Sequence, residues 1–160
     1  MSDPGPELSH LDERGAARMV DVSGKDVTAR TATASGRVVV SREVIDLLRG
    51  PGVPKGDALA VARIAGIQAA KRTPDLVPLC HPIAIHGVDV DLEVNDDHIA
   101  INATVRTADR TGVEMEALTC VTVAGLALID MVKAVDPAAT ITDVQVETKT
   151  GGKTGDWRRG

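Results

Sequence analysis

The chain has 160 residues, a formal net charge of -5, a single Trp and neither Phe nor Tyr. That length suits one domain, and the acidic balance argues against a general affinity for nucleic acid, which rests on neutralising phosphates. The missing rings also remove the stacking platforms of RNA-recognition sheets and single-strand binders.

A core of Val, Ile, Leu, Ala and Met buries less area per side chain than one with aromatics, so subunit association is an attractive way to add buried surface. Residues 1–7, with two prolines and a glycine, read as a disordered tail. They carry no apolar segment suited to secretion or membrane insertion, and a soluble, cytoplasmic protein is expected. Residues 8–160 read as one domain.

Along residues 31–40 the apolar side chains alternate (Ala32, Ala34, Val38, Val40), the pattern of a strand. Ser41 is placed to cap a short helix through Leu48, ended by Gly50-Pro51. The glycine- and proline-rich stretch 49–56 suits a mobile loop. Asp57 is placed to cap a second helix running to about Arg72, stopped before Pro74. Residues 86–94 alternate, turn at Asn95-Asp96-Asp97, and alternate again over 99–105, which predicts a hairpin. A long helix follows over about 113–135, ended by Asp136-Pro137. Ile141, Val144 and Val146 predict a last strand, and the glycine-rich tail from about 150 reads as flexible loop. This order predicts an α+β, ferredoxin-like βαββαβ sandwich, an antiparallel sheet with helices on one face. The 113–135 helix is apolar on most sides, so a neighbouring subunit is expected to cover its second surface. Its apolar run, 117–132, contains Thr119, Thr122 and Asp130 and is shorter than a bilayer span.

Asp130 interrupts that run, where a carboxylate is costly unless paired or put to use. Lys133 lies on the same helical face. Glu116 precedes Asp130 by 14 residues, close to the 14.4 residues of four turns. Acidic groups at both ends of one apolar helical surface suggest a buried polar site. A structural ion pair and an acid/base pair fit Asp130 and Lys133 equally. In Leu76-Val-Pro-Leu79-Cys80-His81-Pro82 the prolines fix the backbone and direct Cys80 and His81, so His81 suits a ligand contact, a proton carrier or a turn-bound histidine. Cys80 and Cys120 lack paired spacing and read as reduced thiols, and no histidine adds a zinc pattern. Lys55-Gly56-Asp57 offers a helix start plus a cation for an anion. Lys149 and Lys153 flank Gly151-Gly152, yet Glu147 stands where a P-loop needs its first glycine and no helix follows. Loop-borne cations beside helix-borne acid/base groups suit a phosphorylated substrate undergoing ring chemistry.

Taken together, Met19-Val-Asp21-Val-Ser23, Lys55-Gly-Asp57, Ala65-Gly-Ile-Gln68-Ala-Ala-Lys71-Arg72-Thr, Pro78-Leu-Cys80-His81-Pro82, Gly112-Val-Glu114-Met115-Glu116-Ala-Leu, Asp130-Met-Val-Lys133-Ala-Val and Gly151-Gly-Lys153-Thr-Gly-Asp156 closely resemble the MoaC family of molybdenum cofactor biosynthesis, in order and over roughly residues 8–157. The resemblance implies a ferredoxin-like subunit of a homohexamer, a trimer of dimers, with active sites at subunit interfaces. It implies conversion of the GTP-derived (8S)-3′,8-cyclo-7,8-dihydroguanosine 5′-triphosphate to cyclic pyranopterin monophosphate and diphosphate. No metal or organic cofactor is implied. A transient contact with the preceding radical enzyme is left open. Matched by position, Asp130, Lys133 and Lys55 are the implied catalytic residues. Leu79, Cys80, His81, Glu114, Met115 and Glu116 are implied substrate contacts, and Arg30, Lys149 and Lys153 are implied basic positions near the triphosphate. A non-catalytic ferredoxin-like nucleotide-binding or regulatory domain is the alternative, and it leaves Asp130 and Lys133 without a proton-transfer role.

Overall fold

The structure is a computed structural model that describes residues 5–50 and 55–160, with the backbone alone for 55 and 56. The disorder expected of the first residues therefore falls largely outside it, as do residues 51–54 of the predicted loop at 49–56, whose last two residues begin a helix. Strand β1 (Thr28–Val39) is followed by helices α1 (Arg42–Arg49), α2 (Lys55–Ala70) and the single turn α3 (Thr73–Leu76). Then come β2 (Gly87–Val94), β3 (His98–Asp109), α4 (Glu114–Val132), β4 (Thr140–Thr150) and the short β5 (Trp157–Arg158). The strands form one antiparallel sheet in the order β2-β3-β1-β4-β5. Its first four members have the strand arrangement expected of the ferredoxin-like sandwich, and β5 extends one edge.

The alternating pattern behaves as strand geometry requires, with successive side chains on opposite faces. Ala32, Ala34 and Val38 of β1 are buried, as are Ile99, Ile101, Ala103 and Val105 of β3. Helices α2 and α4 pack together over this side of the sheet. The opposite face is polar: Thr33 and Thr104 share a hydroxyl hydrogen bond at 2.9 Å, and Ser35 donates to Glu147 at 2.5 Å. Ser41 caps α1 as predicted, its Oγ accepting the Val44 N–H at 3.3 Å. Asp57 does not cap α2. That helix begins two residues earlier, so Asp57 lies in its first turn, where a carboxylate still favours the positive end of the dipole.

Close approach of α4 to its neighbours leaves no room for aromatic rings at their seam. A Cβ on Gly36 of β1 would stand 2.6 Å from Val121 Cγ1. On Gly66 of α2 it would stand 2.9 Å from the Cys120 carbonyl oxygen and 3.1 Å from Ala124 Cβ. With Ala117 and Ala124 fully buried, small residues line the seam, and close-packed interiors leave no room there for larger ones. The burial that shapes the seam also pushes the Cys120 thiol up to about 12, which keeps it an inert, protonated core group.

With 19 residues, α4 is long and apolar enough to cross a membrane by length and composition alone, longer than the apolar run suggested. Its packing on the sheet and on α2 gives that composition a different cause. Outward from the same pair of helices, Ile64, Leu126 and Met131 are 64%, 58% and 44% exposed, an apolar surface that one chain leaves uncovered.

Gly66→Val forces branched carbons into the Cys120 carbonyl and Ala124. Overpacking of this kind is expected to remove about 2–3 kcal/mol of stability. A urea midpoint lowered with an unchanged slope is the expected observation, whereas a wild-type midpoint would show that the seam has slack.

Candidate active site

The first turn of α4 and the connection after α3 build a polar cleft. The rigid Pro78-to-Pro82 segment carries Leu79, Cys80 and His81 to the start of α4, where they line a cleft of about 220 Å³ with Met115 and Glu116. Val20, Val22 and Lys25 close its other side. His81 Nε2 lies 2.5 Å from the Val20 carbonyl oxygen. A carbonyl only accepts, so Nε2 is the donor in this contact. Arg110 Nε donates to the Lys25 carbonyl at 3.1 Å, so the strap 19–25 is tied at both ends to the rim.

Glu116 is the buried acid of this cleft. Only 3% of it is exposed, and burial, helped by the charge of neighbouring Glu114, pushes its carboxyl up to about 7. Cys80, half-buried beside it, has its thiol raised by burial first and by the Glu116 charge second. A carboxyl that changes protonation near neutrality is suited to give or take a proton.

A second compartment of about 200 Å³ continues from the first through Lys25, Thr111, Gly112 and Glu114, which line both. Arg30 of β1 and Lys149 of β4 add two cations to its remaining wall, beside Thr31, Thr150 and Thr154. Lys149 Nζ is 3.3 Å from Glu114 Oε1, and Arg30 Nε donates to the Asp109 carbonyl at 3.1 Å. Two left-handed glycines shape the floor. Gly151 and Gly152 have φ of +84° and +80°, and a Cβ on them would stand 2.1 Å from the Ala29 carbonyl oxygen and from Arg30 Nη1 respectively. Only glycine lets the chain reverse that close to Arg30. Three cations facing one carboxylate make this end suited to a polyanion.

Of the residues singled out from sequence, Leu79, Cys80, His81, Glu114, Met115, Glu116, Arg30 and Lys149 come together here. Lys153 is exposed on the turn after β4 and lines neither compartment. The Lys55 side chain lies outside the described residues. Asp130 and Lys133 form the expected ion pair, at 2.5 Å, but their side chains are 69% and 64% exposed. The expectation of a buried polar stripe joining Glu116 to Asp130 therefore needs correcting for the single chain. The 77–82 connection covers the start of α4. Asp130 stands about 21 Å further along the axis and lines none of the described clefts. Sequence reasoning passed over Lys25, Arg110 and Thr111. Lys25 lies two residues beyond the 19–23 segment, and only the tertiary fold shows that this segment closes the cleft. Among the described residues no three His, Cys, Asp or Glu side chains are grouped so as to hold a metal ion.

The MoaC family profile matches residues 19–152, which includes Cys80, His81 and Glu116 and the cations Lys25, Arg30 and Lys149. The chain belongs to the MoaC family. It is 72% identical to a cyclic pyranopterin monophosphate synthase of Nocardioides sp., over 99% of each chain. It is equally similar to the Streptomyces coelicolor protein of that name, at 72% over 98% of this chain and 92% of the relative. A cyclic pyranopterin monophosphate synthase 2 of Mycobacterium tuberculosis is 61% identical over 96% of this chain and 92% of its own. The cleft of this family member has its ionisable carboxyl at one end, Arg30 and Lys149 at the other and Lys25 at the junction.

The raised Glu116 has a definite stability signature. Its folded-state value, about 7, exceeds the ordinary 4.5, so the folded chain holds this proton more tightly than the unfolded chain does. The carboxyl costs nothing below about pH 4.5, and its penalty grows as pH rises toward 7. Glu116→Gln is expected to remove that penalty, gaining on the order of 3 kcal/mol over wild type between pH 4 and 8. Urea unfolding of both proteins across this range checks it; parallel profiles would mean the carboxyl is not perturbed.

Proposed function

We propose that the chain converts (8S)-3′,8-cyclo-7,8-dihydroguanosine 5′-triphosphate into cyclic pyranopterin monophosphate and diphosphate, a lyase step of molybdenum cofactor biosynthesis. The observation that carries this reading is the polarity of the joined cleft, a proton-exchanging carboxyl at one end, Arg30 and Lys149 at the other and Lys25 at the junction. Its relatives named cyclic pyranopterin monophosphate synthase support the same activity.

The reaction makes two demands. Opening the imidazole-derived ring and building the new rings requires protons to be delivered to and removed from nitrogen. Closing the cyclic phosphate requires an oxygen of the sugar-derived part to attack the α-phosphorus while the bond to the β-phosphate breaks and diphosphate leaves. In this proposal Glu116 and His81 hold the guanine-derived end, with Leu79, Cys80 and Met115 shaping its pocket. Arg30 and Lys149 receive the phosphates, joined by Lys25 and, from the turn after β4, by Lys153. Cations at the position where charge accumulates on the leaving diphosphate lower the barrier to its departure. Glu114, paired with Lys149 at 3.3 Å, holds that cation until a phosphate replaces it.

Asp130, Lys133 and Lys55 supply the acid/base chemistry in this scheme. Asp130 and Lys133 stand too far along α4 to reach the cleft of their own chain, so the scheme places them at the cleft of a neighbouring subunit. The uncovered apolar side chains Ile64, Leu126 and Met131 favour such an association, because burying them against a second copy removes them from water. A homohexamer, a trimer of dimers working in the cytoplasm, is the assembly proposed, with the substrate arriving through a transient contact with the preceding radical enzyme. The reaction as proposed needs no resident metal or organic cofactor.

Purified protein incubated with the triphosphate is expected to release diphosphate and form the cyclic monophosphate. Asp130→Asn should keep the elution volume of the wild-type assembly and bind substrate, yet lose about 10²–10⁴-fold in turnover. Near-normal product formation by that variant would remove the aspartate from the chemistry.

A further inference from the structure

The only aromatic ring of the chain, Trp157, is 42% exposed on the two-residue strand β5. Such a ring at the end of a glycine-rich tail would be unremarked if the tail were loose. It is instead fastened at several points. Asp156 Oδ1 accepts the Gly151 N–H at 3.3 Å. The Arg159 backbone N–H donates to the Glu147 carbonyl at 2.8 Å, and its Nε donates to the Val146 carbonyl at 2.8 Å. The Arg159 guanidinium also lies 5.5 Å from the centre of the indole, a cation–π contact that holds the ring in place.

This anchoring sets one register. Trp157 pairs directly with Lys149 across the β4–β5 ladder. Directly opposed residues of an antiparallel pair project to the same face with Cβ atoms about 5 Å apart. Lys149 is the cation that meets Glu114 in the basic compartment. Trp157, Lys149, Glu114 and Met115 also line one open recess of about 350 Å³, which adjoins both compartments through Glu114 and Met115.

We propose that Trp157 is a positioning residue for the anion-binding end of the cleft, its indole bracing Lys149 so that the ammonium faces the basic compartment rather than open water. This rests on the functional reading above, and it assigns Trp157 to that site. A lysine has four rotatable carbons of reach and a strongly hydrated head, and it loses much freedom when it must stay in one place. An indole beside its stem restricts that freedom before the anion arrives, so the ordering cost is met in advance. The effect falls on binding of the phosphates and leaves the chemical step alone.

Two measurements test this. In steady-state kinetics, Trp157→Ala is expected to raise KM for the triphosphate about tenfold with kcat within about twofold, and Trp157→Phe to return KM to within about threefold of wild type. Separately, titration of the wild-type protein with inorganic diphosphate is expected to give a saturable change in the emission of its single tryptophan, and Lys149→Ala is expected to abolish that change. An unchanged KM in Trp157→Ala, a loss confined to kcat, or failure of Phe to rescue would overturn the proposal. So would silent emission, or emission that still responds in Lys149→Ala. If the alanine variant does not fold, the phenylalanine variant and the emission titration decide. A wild-type protein that forms no product removes the functional reading, and the diphosphate titration, which needs no turnover, then decides the role of Trp157.

Discussion

Close approach of α4 to the sheet and to α2 is the constraint on which the site depends. Because Gly36, Gly66 and Ala124 let the helix settle against its neighbours, the first turn of α4 sinks under the 77–82 connection, and Glu116 goes with it. A carboxyl in that position cannot be fully hydrated, and its affinity for a proton rises accordingly. Two residues earlier on the same turn, Glu114 remains half-buried and reaches Lys149. One turn of helix therefore presents two carboxyls with different environments, one near-neutral in its titration and one paired with a cation.

The rest of the cleft follows from that division. Three segments supply the cations: Lys25 comes from the strap, Arg30 from the adjoining β1 and Lys149 from the sequence-distant β4. Arg30 is held by backbone, whereas Lys149 is held by the Glu114 carboxylate. Arg30 is oriented by the Asp109 carbonyl and by a turn that only glycine fits, and the strap is tied by His81 and Arg110. A polyanion entering this end meets groups that are already placed, which is the economical arrangement for binding.

How much of this was legible depended on whether local pattern or tertiary contact decides the feature. The strands were readable because burial of one face imposes a period of two, as at Ala32, Ala34 and Val38. The cap at Ser41 was readable because it is a local hydrogen bond. Asp57 misled because a capping-type residue is also favourable one turn inside a helix. The β5 pairing was not readable, since two residues after a glycine-rich turn carry no period, and its register is held by Asp156 and Arg159. Asp130 was the hardest case. An apolar run marks a helix as covered on several sides without saying by what, and in one chain the C-terminal turns of α4 remain open. The motif around Cys80, His81, Glu114 and Glu116 identified the family, but only the fold shows that the strap bearing Lys25 closes over it.

The orientation of the bound substrate tests the central claim most directly. A crystal structure of the Asp130→Asn protein soaked with the triphosphate is predicted to place the guanine-derived rings against Glu116, Cys80 and His81, with the phosphates across Arg30, Lys149 and Lys25. Phosphates resting beside Glu116, or a ligand bound away from the first turn of α4, would contradict the account.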